Sequence, residues 1–231
     1  GTINLLKVMK QNNCHKLLFS SSATVYKSNG NKKLTELDIL KPVNPYGNTK
    51  FTVEHILNDL YESEKNIWKI MSLRYFNPVG AHYSGLIGED PTANPTNLFP
   101  IINKVLKGEL TKLEVYGNNW PTIDGTCVRD YIHVMDLAEA HLLAYKHMCN
   151  KNNIKNLYLN IGTGKGSSVL EVIKTFNRLT KTKLKFEFAD RRKGDLAYVV
   201  ADSKLATKLL NWFPKRNLED MCRDALNWSI P

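Results

Sequence analysis

Strand-like and helix-like segments alternate along this chain, and this order restricts the fold more than any other feature of the sequence. Runs of strand length, the first buried and the last half-buried, are predicted at residues 16–21, 68–75, 156–161 and 184–188. Helices are predicted at residues 5–11, 49–65, 98–107, 134–148, 169–179, 203–210 and 218–228. Strands that alternate with helices pair in parallel. We therefore expect an α/β fold containing part of a Rossmann-type, doubly wound parallel sheet.

Residues 77–125 interrupt this alternation, because they are rich in proline, glycine and asparagine. Loops around one helix are predicted there, and such excursions usually carry ligand contacts. We expect residues 1–78 to form the second half of a Rossmann-type domain, to which elements near residues 131–162 return. Residues 79–231 are expected to form mainly a smaller, C-terminal substrate-binding α/β domain.

The front of the predicted Rossmann-type domain has no counterpart in the chain. Such a domain begins with a strand, a glycine-rich turn and a helix that holds a pyrophosphate, followed by an acidic residue for the ribose. Nothing before Lys16 has this pattern, and the first residues already resemble a helix. We expect a piece that lacks the glycine-rich first half.

A glycine cluster at residues 162–166 follows one predicted strand and precedes a helix. A P-loop requires Ser or Thr directly after its Gly-Lys pair, and Gly166 stands there instead. The dinucleotide fingerprint requires a third glycine where Ser167 stands. A tight strand-to-helix turn is therefore predicted.

Composition excludes several classes of protein. No apolar run approaches the roughly 20 residues that cross a bilayer, and no signal peptide opens the chain, so we expect a cytoplasmic protein without a membrane segment. The lysines behind the net charge of +10 are scattered, as in the predicted solvated loop at residues 151–156, so nucleic-acid binding is not expected. Four distant cysteines predict reduced, buried thiols and no metal site: Cys14, Cys127, Cys149 and Cys222.

Tyr46 and Lys50 lie four residues apart and share one face of a predicted helix. That helix would begin with Asn44 as N-cap and Pro45 at its first position. Tyrosine is protonated near neutral pH, so a tyrosine that acts as a base needs a positive charge beside its phenolate. Lys50 can supply that charge, and Ser22, at the end of the preceding strand, could share a hydrogen bond with the reacting alcohol. The pattern predicts a proton-transfer site beside a dinucleotide.

The same spacing occurs a second time, at Tyr61 and Lys65. No strand that ends in serines precedes this pair, and the acidic neighbours Glu62 and Glu64 would oppose a phenolate. An exposed helix end is predicted there.

Several strings together resemble the extended short-chain dehydrogenase/reductase superfamily. They are the Tyr46 and Lys50 pair, Leu-Arg-Tyr-Phe-Asn-Pro-Val-Gly-Ala-His at residues 73–82, and the Arg-Asp-Tyr-Ile-His segment within residues 125–137. Ser-Ser-Ser-Ala-Thr-Val-Tyr at residues 20–26 and Gly-Glu-Asp-Pro at residues 88–91 resemble its UDP-glucose 4-epimerase family. The resemblance runs from Gly1 to near the C-terminus.

This resemblance implies NAD-dependent epimerisation at C4 of a UDP-hexose, the interconversion of UDP-glucose and UDP-galactose through a transient 4-keto sugar. It implies NAD as cofactor, a UDP-sugar as substrate and a homodimer when the chain is complete. The catalytic residues would be Tyr46, Lys50 and Ser22. The cofactor would be bound by Ser20, Tyr46, Lys50, Tyr75 and Phe76. The substrate would be bound by Ser22, Ala23, Thr24, Asn77, Asn97, Leu98, Glu114, Val115, Tyr116, Arg129, Arg192, Asp195 and Val199.

Among these positions, the resemblance places residues 114–116 at the uracil and Asp195 at a ribose hydroxyl. Arg129 and Arg192 would grip the diphosphate, because their forked donors match phosphate oxygens. Each position has a plain interpretation as well: Arg129 with Asp130 could form a local ion pair, and the Arg192 segment a solvated turn. Their joint order along the chain favours the epimerase.

Other activities share this fold. The 4,6-dehydratases carry an Asp-Glu pair where this chain has Ala23 and Thr24, so dehydration is not expected. Epimerases of N-acetylhexosamines, pentoses or glucuronate remain alternatives. In the family one residue decides whether an N-acetyl group fits, and ungapped counting places it at Val199, although Tyr198 could fill the pocket instead. The chain could also be an inactive UDP-binding fragment.

Overall fold

The computed structural model describes residues 1–65, 67–91, 95–150 and 156–229. Each helix predicted from the sequence is present. The helices are α1 (Thr2–Gln11), α2 (Pro45–Ser63), α3 (Leu98–Leu106), α4 (Val134–Asn150), α5 (Val169–Thr180), α6 (Lys204–Leu210) and α7 (Leu218–Ser229). The strands are β1 (Lys16–Ser22), β2 (Lys69–Tyr75), β3 (Asn77–Val79), β4 (Leu113–Tyr116), β5 (Val128–His133), β6 (Leu157–Ile161), β7 (Gly166–Ser168), β8 (Phe186–Ala189) and β9 (Tyr198–Val199).

The first sheet has the order β1-β2-β6 and is parallel throughout. Successive residues of β2 point to opposite faces, so each face carries its own apolar core. On one face α1 and α2 pack through Leu6 and Leu57 against Ile70. On the other face α4 and α6 form a core that includes Leu73 and Ala144. Helices on both faces of a parallel sheet confirm the predicted doubly wound arrangement.

The second group of strands surrounds β5, which pairs in parallel with β3 and β9 and antiparallel with β7. A separate parallel pair joins β4 to β8. Helices α3, α5 and α7 bury Phe99, Phe176 and Met221 in one core. Only Phe76 separates β2 from β3, so the chain passes directly from the first sheet into the second. This short passage brings the two groups together at the carboxyl end of β2.

Two strands are less buried than their sequences predict. In β1, residues 16–20 are exposed or half-buried, because β1 lies at the edge of the sheet formed by the described residues. Strand β8 begins at residue 186, not 184, and pairs only with β4 within the described chain. Phe186 and Phe188 consequently remain 37% and 46% exposed, so the predicted strand is present but its predicted half-burial is wrong.

Five strands lie where no strand is predicted, namely β3, β4, β5, β7 and β9. Residues 77–125 contain β3 and β4 in addition to α3, so the prediction of loops around one helix is wrong. Strand β3 has three residues and includes Pro78, and β9 has only two, which is too short to show an alternating pattern. Strand β5 carries Arg129 and Asp130 among its apolar residues and pairs only with partners distant in sequence.

The cysteines of the chain are free thiols. Cys127 and Cys222 are buried, as predicted. Cys149 is only half-buried and Cys14 is exposed in the turn between α1 and β1, so the prediction of buried thiols is wrong for these two. Across the described residues, no helix is both long and apolar enough to traverse a bilayer. Most of the predicted solvated loop at residues 151–156 lies outside the described residues.

Candidate active site

A cleft of about 810 Å³ opens at the carboxyl ends of β1 and β2, the end at which parallel α/β sheets bind ligands. Its lining includes the predicted site residues except Ser20 and Lys50. The predicted residues that line it are Ser22, Ala23, Thr24, Tyr46, Tyr75, Phe76, Asn77, Asn97, Leu98, Glu114, Val115, Tyr116, Arg129, Arg192, Asp195 and Val199.

The start of α2 brings Tyr46 to the cleft. Asn44 caps the helix, because its Oδ1 accepts a hydrogen bond of 2.7 Å from the N–H of Gly47, and Pro45 occupies the first turn. A Cβ on Gly47 would lie 2.5 Å from the backbone oxygen of Thr24, so a glycine allows the helix to approach the turn after β1. Tyr46 is 55% exposed and lines the cleft.

Lys50 lies one helical turn after Tyr46, as predicted from the spacing. Its Nζ is 5.6 Å from the centroid of the Tyr46 ring and donates a 2.8 Å hydrogen bond to the backbone oxygen of Ser20. The strand end therefore holds the ammonium beside the tyrosine. By contrast, Lys65 forms a 2.7 Å ion pair with Glu62 at an exposed position, which confirms the predicted solvated helix end.

Ser22 is buried at the end of β1 and faces the same cleft. Its Oγ accepts hydrogen bonds from the N–H and the hydroxyl of Thr24, at 3.2 and 2.9 Å. With both lone pairs engaged, the Ser22 hydroxyl can donate its own proton to an oxygen atom in the cleft. The predicted substrate residue Thr24 therefore also orients the predicted catalytic serine.

Tyr75 connects the cleft to Ser20. Its hydroxyl donates a 2.7 Å hydrogen bond to Ser20 Oγ and also contacts Nε2 of His141 on α4. Burial raises the pKa of Tyr75, so this hydroxyl stays protonated at neutral pH. His141 is not among the predicted site residues, because a histidine on an amphipathic helix gives no signal in the sequence.

Directly behind the site lies a buried polar network that the sequence analysis does not predict. Arg74 and Glu54 have side chains only 2% and 3% exposed and share two hydrogen bonds of 3.0 and 2.7 Å. Glu54 also accepts from Ser21 Oγ at 2.5 Å, and Arg74 donates to the hydroxyl of Tyr26, which donates to Asn160. The sequence holds one indication of this network: Glu54 follows Lys50 by four residues on the predicted helix, so both lie on the helix face that carries Tyr46.

Charge within this network is balanced. Burial opposes protonation of Arg74, but the hydrogen bonds and charge interactions with Glu54 and Tyr26 together outweigh burial and raise the pKa of the guanidinium. Burial raises the pKa of Tyr26 to about 12, against the lowering effect of Arg74. The network therefore holds one ion pair and a neutral phenol, and it joins β1, α2, β2 and β6 next to Ser22 and Tyr75.

At the other end of the cleft two arginines share one carboxylate. Asp195 lies 3.7 Å from Arg129 Nη2 and 3.5 Å from Arg192 Nε. The backbone oxygen of Leu196 accepts a 2.6 Å hydrogen bond from Arg129 Nη1. Two guanidinium groups held by one acidic residue leave a net positive charge, which suits a bound diphosphate.

Further groups of the predicted nucleotide site lie beside these arginines. The Tyr116 hydroxyl donates a 2.6 Å hydrogen bond to Glu114, and this bond raises the pKa of Tyr116. Asn97 stands at the N-cap of α3, where its side chain makes no capping hydrogen bond, and Asn97 and Leu98 both line the cleft. The positive end of the helix dipole thus faces the same space as the arginines.

The pairing of β9 with β5 decides between Val199 and Tyr198. Val199 pairs with Arg129 and lines the cleft. Tyr198 pairs with Val128, does not line the cleft, and its ring approaches Gly166. Neighbouring residues of a strand point to opposite faces, so the alternative in which Tyr198 fills the pocket does not hold.

The glycine cluster forms a turn held by Asp130. The backbone N–H groups of Thr163 and Gly164 donate to the buried Asp130 carboxylate at 2.7 and 2.8 Å, and the N–H of Ala201 donates at 3.1 Å. Burial raises the pKa of Asp130, and these donors oppose that rise. The predicted turn is confirmed, although it also contains β7, and its amides are not available to a phosphate.

The predicted alternative of an Arg129–Asp130 ion pair is wrong, since Arg129 pairs with Asp195.

Comparison with known proteins identifies the family. A sequence profile described as GDP-mannose 4,6 dehydratase matches residues 1–225. The chain is 47% identical over 229 residues to the bifunctional UDP-glucose 4-epimerase and UDP-xylose 4-epimerase 1 of Pisum sativum, a match that covers 99% of this chain and 65% of that protein. The chain thus spans about 65% of the length of this relative.

Solved structures agree with the sequence match. The UDP-glucose 4-epimerase of Stenotrophomonas maltophila, with bound NAD and formylated UDP-arabinopyranose, superposes with a TM-score of 0.94 at 44% identity, over 99% of this chain and 67% of that one. The enzyme of Bifidobacterium longum, in complex with NAD+ and UDP, gives a TM-score of 0.92 at 45% identity, over 98% and 67%. The chain therefore belongs to the family of the GDP-mannose 4,6 dehydratase profile and, within it, to the UDP-glucose 4-epimerases.

Proposed function

We propose that the protein catalyses NAD-dependent epimerisation at C4 of a UDP-hexose, interconverting UDP-glucose and UDP-galactose. One observation carries this proposal: Tyr46 and Ser22 line the same cleft as Arg129 and Arg192. A nucleotide sugar likewise carries its diphosphate at one end and its reacting hydroxyl at the other. Because the chain spans only part of its relatives, the proposal concerns the activity of the whole protein.

Tyr46 is the general base of the proposed reaction. As a phenolate, stabilised by the Lys50 ammonium held on Ser20, it takes the proton of the sugar's 4-hydroxyl and later returns it. The Ser22 hydroxyl donates a hydrogen bond to the same sugar oxygen. The two hydrogen bonds that Ser22 accepts from Thr24 orient its proton toward that oxygen. The 4-keto sugar turns over in the cleft between the two steps, so its other face meets the cofactor.

The residues at the β1 and β2 ends fit the nicotinamide half of NAD. Phe76 offers an apolar wall, and Lys50 offers an ammonium that can also reach ribose hydroxyls. NAD, when bound there, supplies the oxidation of C4 and its reduction again. Both superposed epimerases contain this cofactor.

The nucleotide end is proposed to hold the substrate while its sugar moves. Arg129 and Arg192 bind the diphosphate, with the N-terminus of α3 beside them, and Asp195 takes a ribose hydroxyl. Residues 114–116 border the uracil. Many polar contacts at the diphosphate and few at the sugar allow the sugar ring to turn either face toward the cofactor while the nucleotide stays bound.

The test is the Tyr46→Phe variant of the whole protein, assayed for UDP-galactose conversion in the presence of NAD and for UDP affinity. Turnover should fall by about 10²–10⁴-fold, the usual contribution of a general base, while the UDP dissociation constant changes less than about twofold. Near-normal turnover would refute the assignment. UDP binding without any turnover in the unaltered protein would support the alternative, a UDP-binding module.

A second substrate class is favoured by Val199. A valine in the lining of the cleft leaves more room than a tyrosine at that position, so we propose that UDP-N-acetylhexosamines are also accepted. Val199→Tyr should suppress turnover of UDP-N-acetylgalactosamine by at least tenfold and spare UDP-galactose. Equal loss with both substrates would show that the side chain does not act on the N-acetyl group. Dehydration is not proposed, since Ala23 and Thr24 carry no carboxylate.

The predicted homodimer and cytoplasmic location are proposals too. Sedimentation of the purified protein would measure its oligomeric state, and a monomer at micromolar concentration would contradict the homodimer. Fractionation of the source cells would test the location.

A further inference from the structure

Two adjacent arginines in the loop between β8 and β9 pack on different aromatic rings. The Arg192 guanidinium lies 4.2 Å from the ring centroid of Tyr116, and the Arg191 guanidinium lies 4.0 Å from that of Trp120. Arg192 lines the cleft, whereas Arg191 does not. Of these two adjacent arginines, the diphosphate site proposed above uses only Arg192, so the pair of Arg191 and Trp120 has no role in it.

Arg191 fastens its loop to the loop between β4 and β5. Its Nε donates a 2.9 Å hydrogen bond to Asn119 Oδ1, and Nη2 donates to the Asn119 backbone oxygen. Trp120 is itself held, because its Nε1 donates to the backbone oxygen of Tyr116 at 3.1 Å. Arg191, Trp120 and Tyr116 therefore form a continuous series of contacts that ends at the ring beneath Arg192.

The backbone accommodates this arrangement at Gly117. A Cβ there would lie 2.4 Å from Trp120 Nε1 and 2.9 Å from Arg191 Cγ, and the residue has a φ of +84°. Its N–H also donates a 2.8 Å hydrogen bond to the backbone oxygen of Ala189, just before the arginines. Both the space and the backbone conformation favour glycine, so the two loops meet closely at this point.

We propose that Arg191 is a positioning residue for diphosphate binding: by stacking on Trp120 and bonding Asn119, it holds the loop so that Arg192 stays beside Tyr116. A flexible arginine loses side-chain freedom when it binds a phosphate, and a loop already held in place reduces that loss. This inference rests on the proposed function, because it takes the ligand at Arg192 to be a diphosphate.

The test compares UDP with uridine, which lacks the diphosphate, by calorimetric titration of the chain. The contacts of Arg191 with Trp120 and Asn119 are called the clamp. If its loss leaves the loop between β8 and β9 in the binding-competent position in about one tenth of the molecules, Arg191→Ala weakens UDP binding about tenfold. Uridine affinity should change less than twofold. Arg191→Lys keeps the charge but loses the planar stack and the fork, so it should weaken UDP nearly as much. Equal weakening of UDP and uridine, or wild-type UDP affinity in Arg191→Lys, would overturn the proposal.

Further variants separate this inference from the proposed function. Trp120→Ala should match Arg191→Ala, and the double variant should be no weaker than either alone, since each single variant already removes the shared stack of Arg191 on Trp120. Trp120→Phe, which keeps an aromatic face, serves if Trp120→Ala does not fold. Arg178→Ala removes an exposed arginine paired with Glu219 and should bind UDP as the unaltered chain does. Wild-type UDP affinity in Arg192→Ala would refute the diphosphate site itself, whereas weakening there but not in Arg191→Ala refutes only the clamp.

Discussion

Glu54→Gln is expected to destabilise the protein strongly, although it changes one charge and almost no volume. Glu54 and Arg74 are nearly fully buried and share two hydrogen bonds, and Glu54 also accepts from Ser21. Neutralising one partner leaves the guanidinium buried and uncompensated, which costs about 3–5 kcal/mol. For a chain of 231 residues this corresponds to a melting temperature lower by about 6–10 °C, at about 2 °C per kcal/mol.

The assay is urea unfolding followed by circular dichroism and tryptophan fluorescence, with a thermal scan beside it. The matched control is Glu62→Gln on the same helix. Its partner Lys65 lies 2.7 Å away, both side chains are exposed, and no resolvable loss of stability is expected. Replacing both buried partners, Glu54→Leu with Arg74→Met, should recover most of the loss. A Glu54→Gln variant within about 1 kcal/mol of wild type would refute the argument from buried charge.

Three further changes test other parts of the structure. Burial lowers the pKa of His133 below its ordinary value of 6.5, so the unfolded chain binds the proton more readily than the folded one. The free energy of unfolding therefore falls as the pH drops below 6.5. His133→Gln should reduce this pH dependence, measured by urea unfolding at several pH values, by up to about 1.4 kcal/mol per pH unit. An unchanged slope would contradict this. Asp130→Asn replaces an acceptor of several N–H groups with a partial donor and should cost about 1–3 kcal/mol in the same assay. No loss would show that the amide oxygen alone satisfies these N–H groups, which contradicts the argument. Gly47→Ala should displace the start of α2, lower the free energy of unfolding by about 1–3 kcal/mol and slow turnover. Asn48→Ala, at the exposed neighbouring position, should do neither. A Gly47→Ala variant with unchanged stability and turnover would refute the close approach of α2 to Thr24.

The sequence predicts those features of the fold and the site whose determining residues lie close together along the chain. The Tyr46 and Lys50 pair shares a helix face because the α-helix repeats every 3.6 residues, and the Asn44-Pro45 start follows from capping preferences that act within one turn. The glycine turn was likewise readable, since its spacing excluded the phosphate-binding patterns. Short strands such as β3 were missed, because three residues are too few to display a period.

Three features follow from the amino-acid order without any tertiary contact: the α/β succession of elements, the helix that carries Tyr46 and Lys50, and the presence of arginines and serines with suitable chemistry. Tertiary structure alone decided that Val199 and not Tyr198 faces the cleft, because that choice depends on the register of β9 against β5. It also decided which partners Arg74 and Arg191 have, on segments 20 and 72 residues away. Local preferences act over a few residues, whereas these contacts exist only once the sheets and loops have packed together.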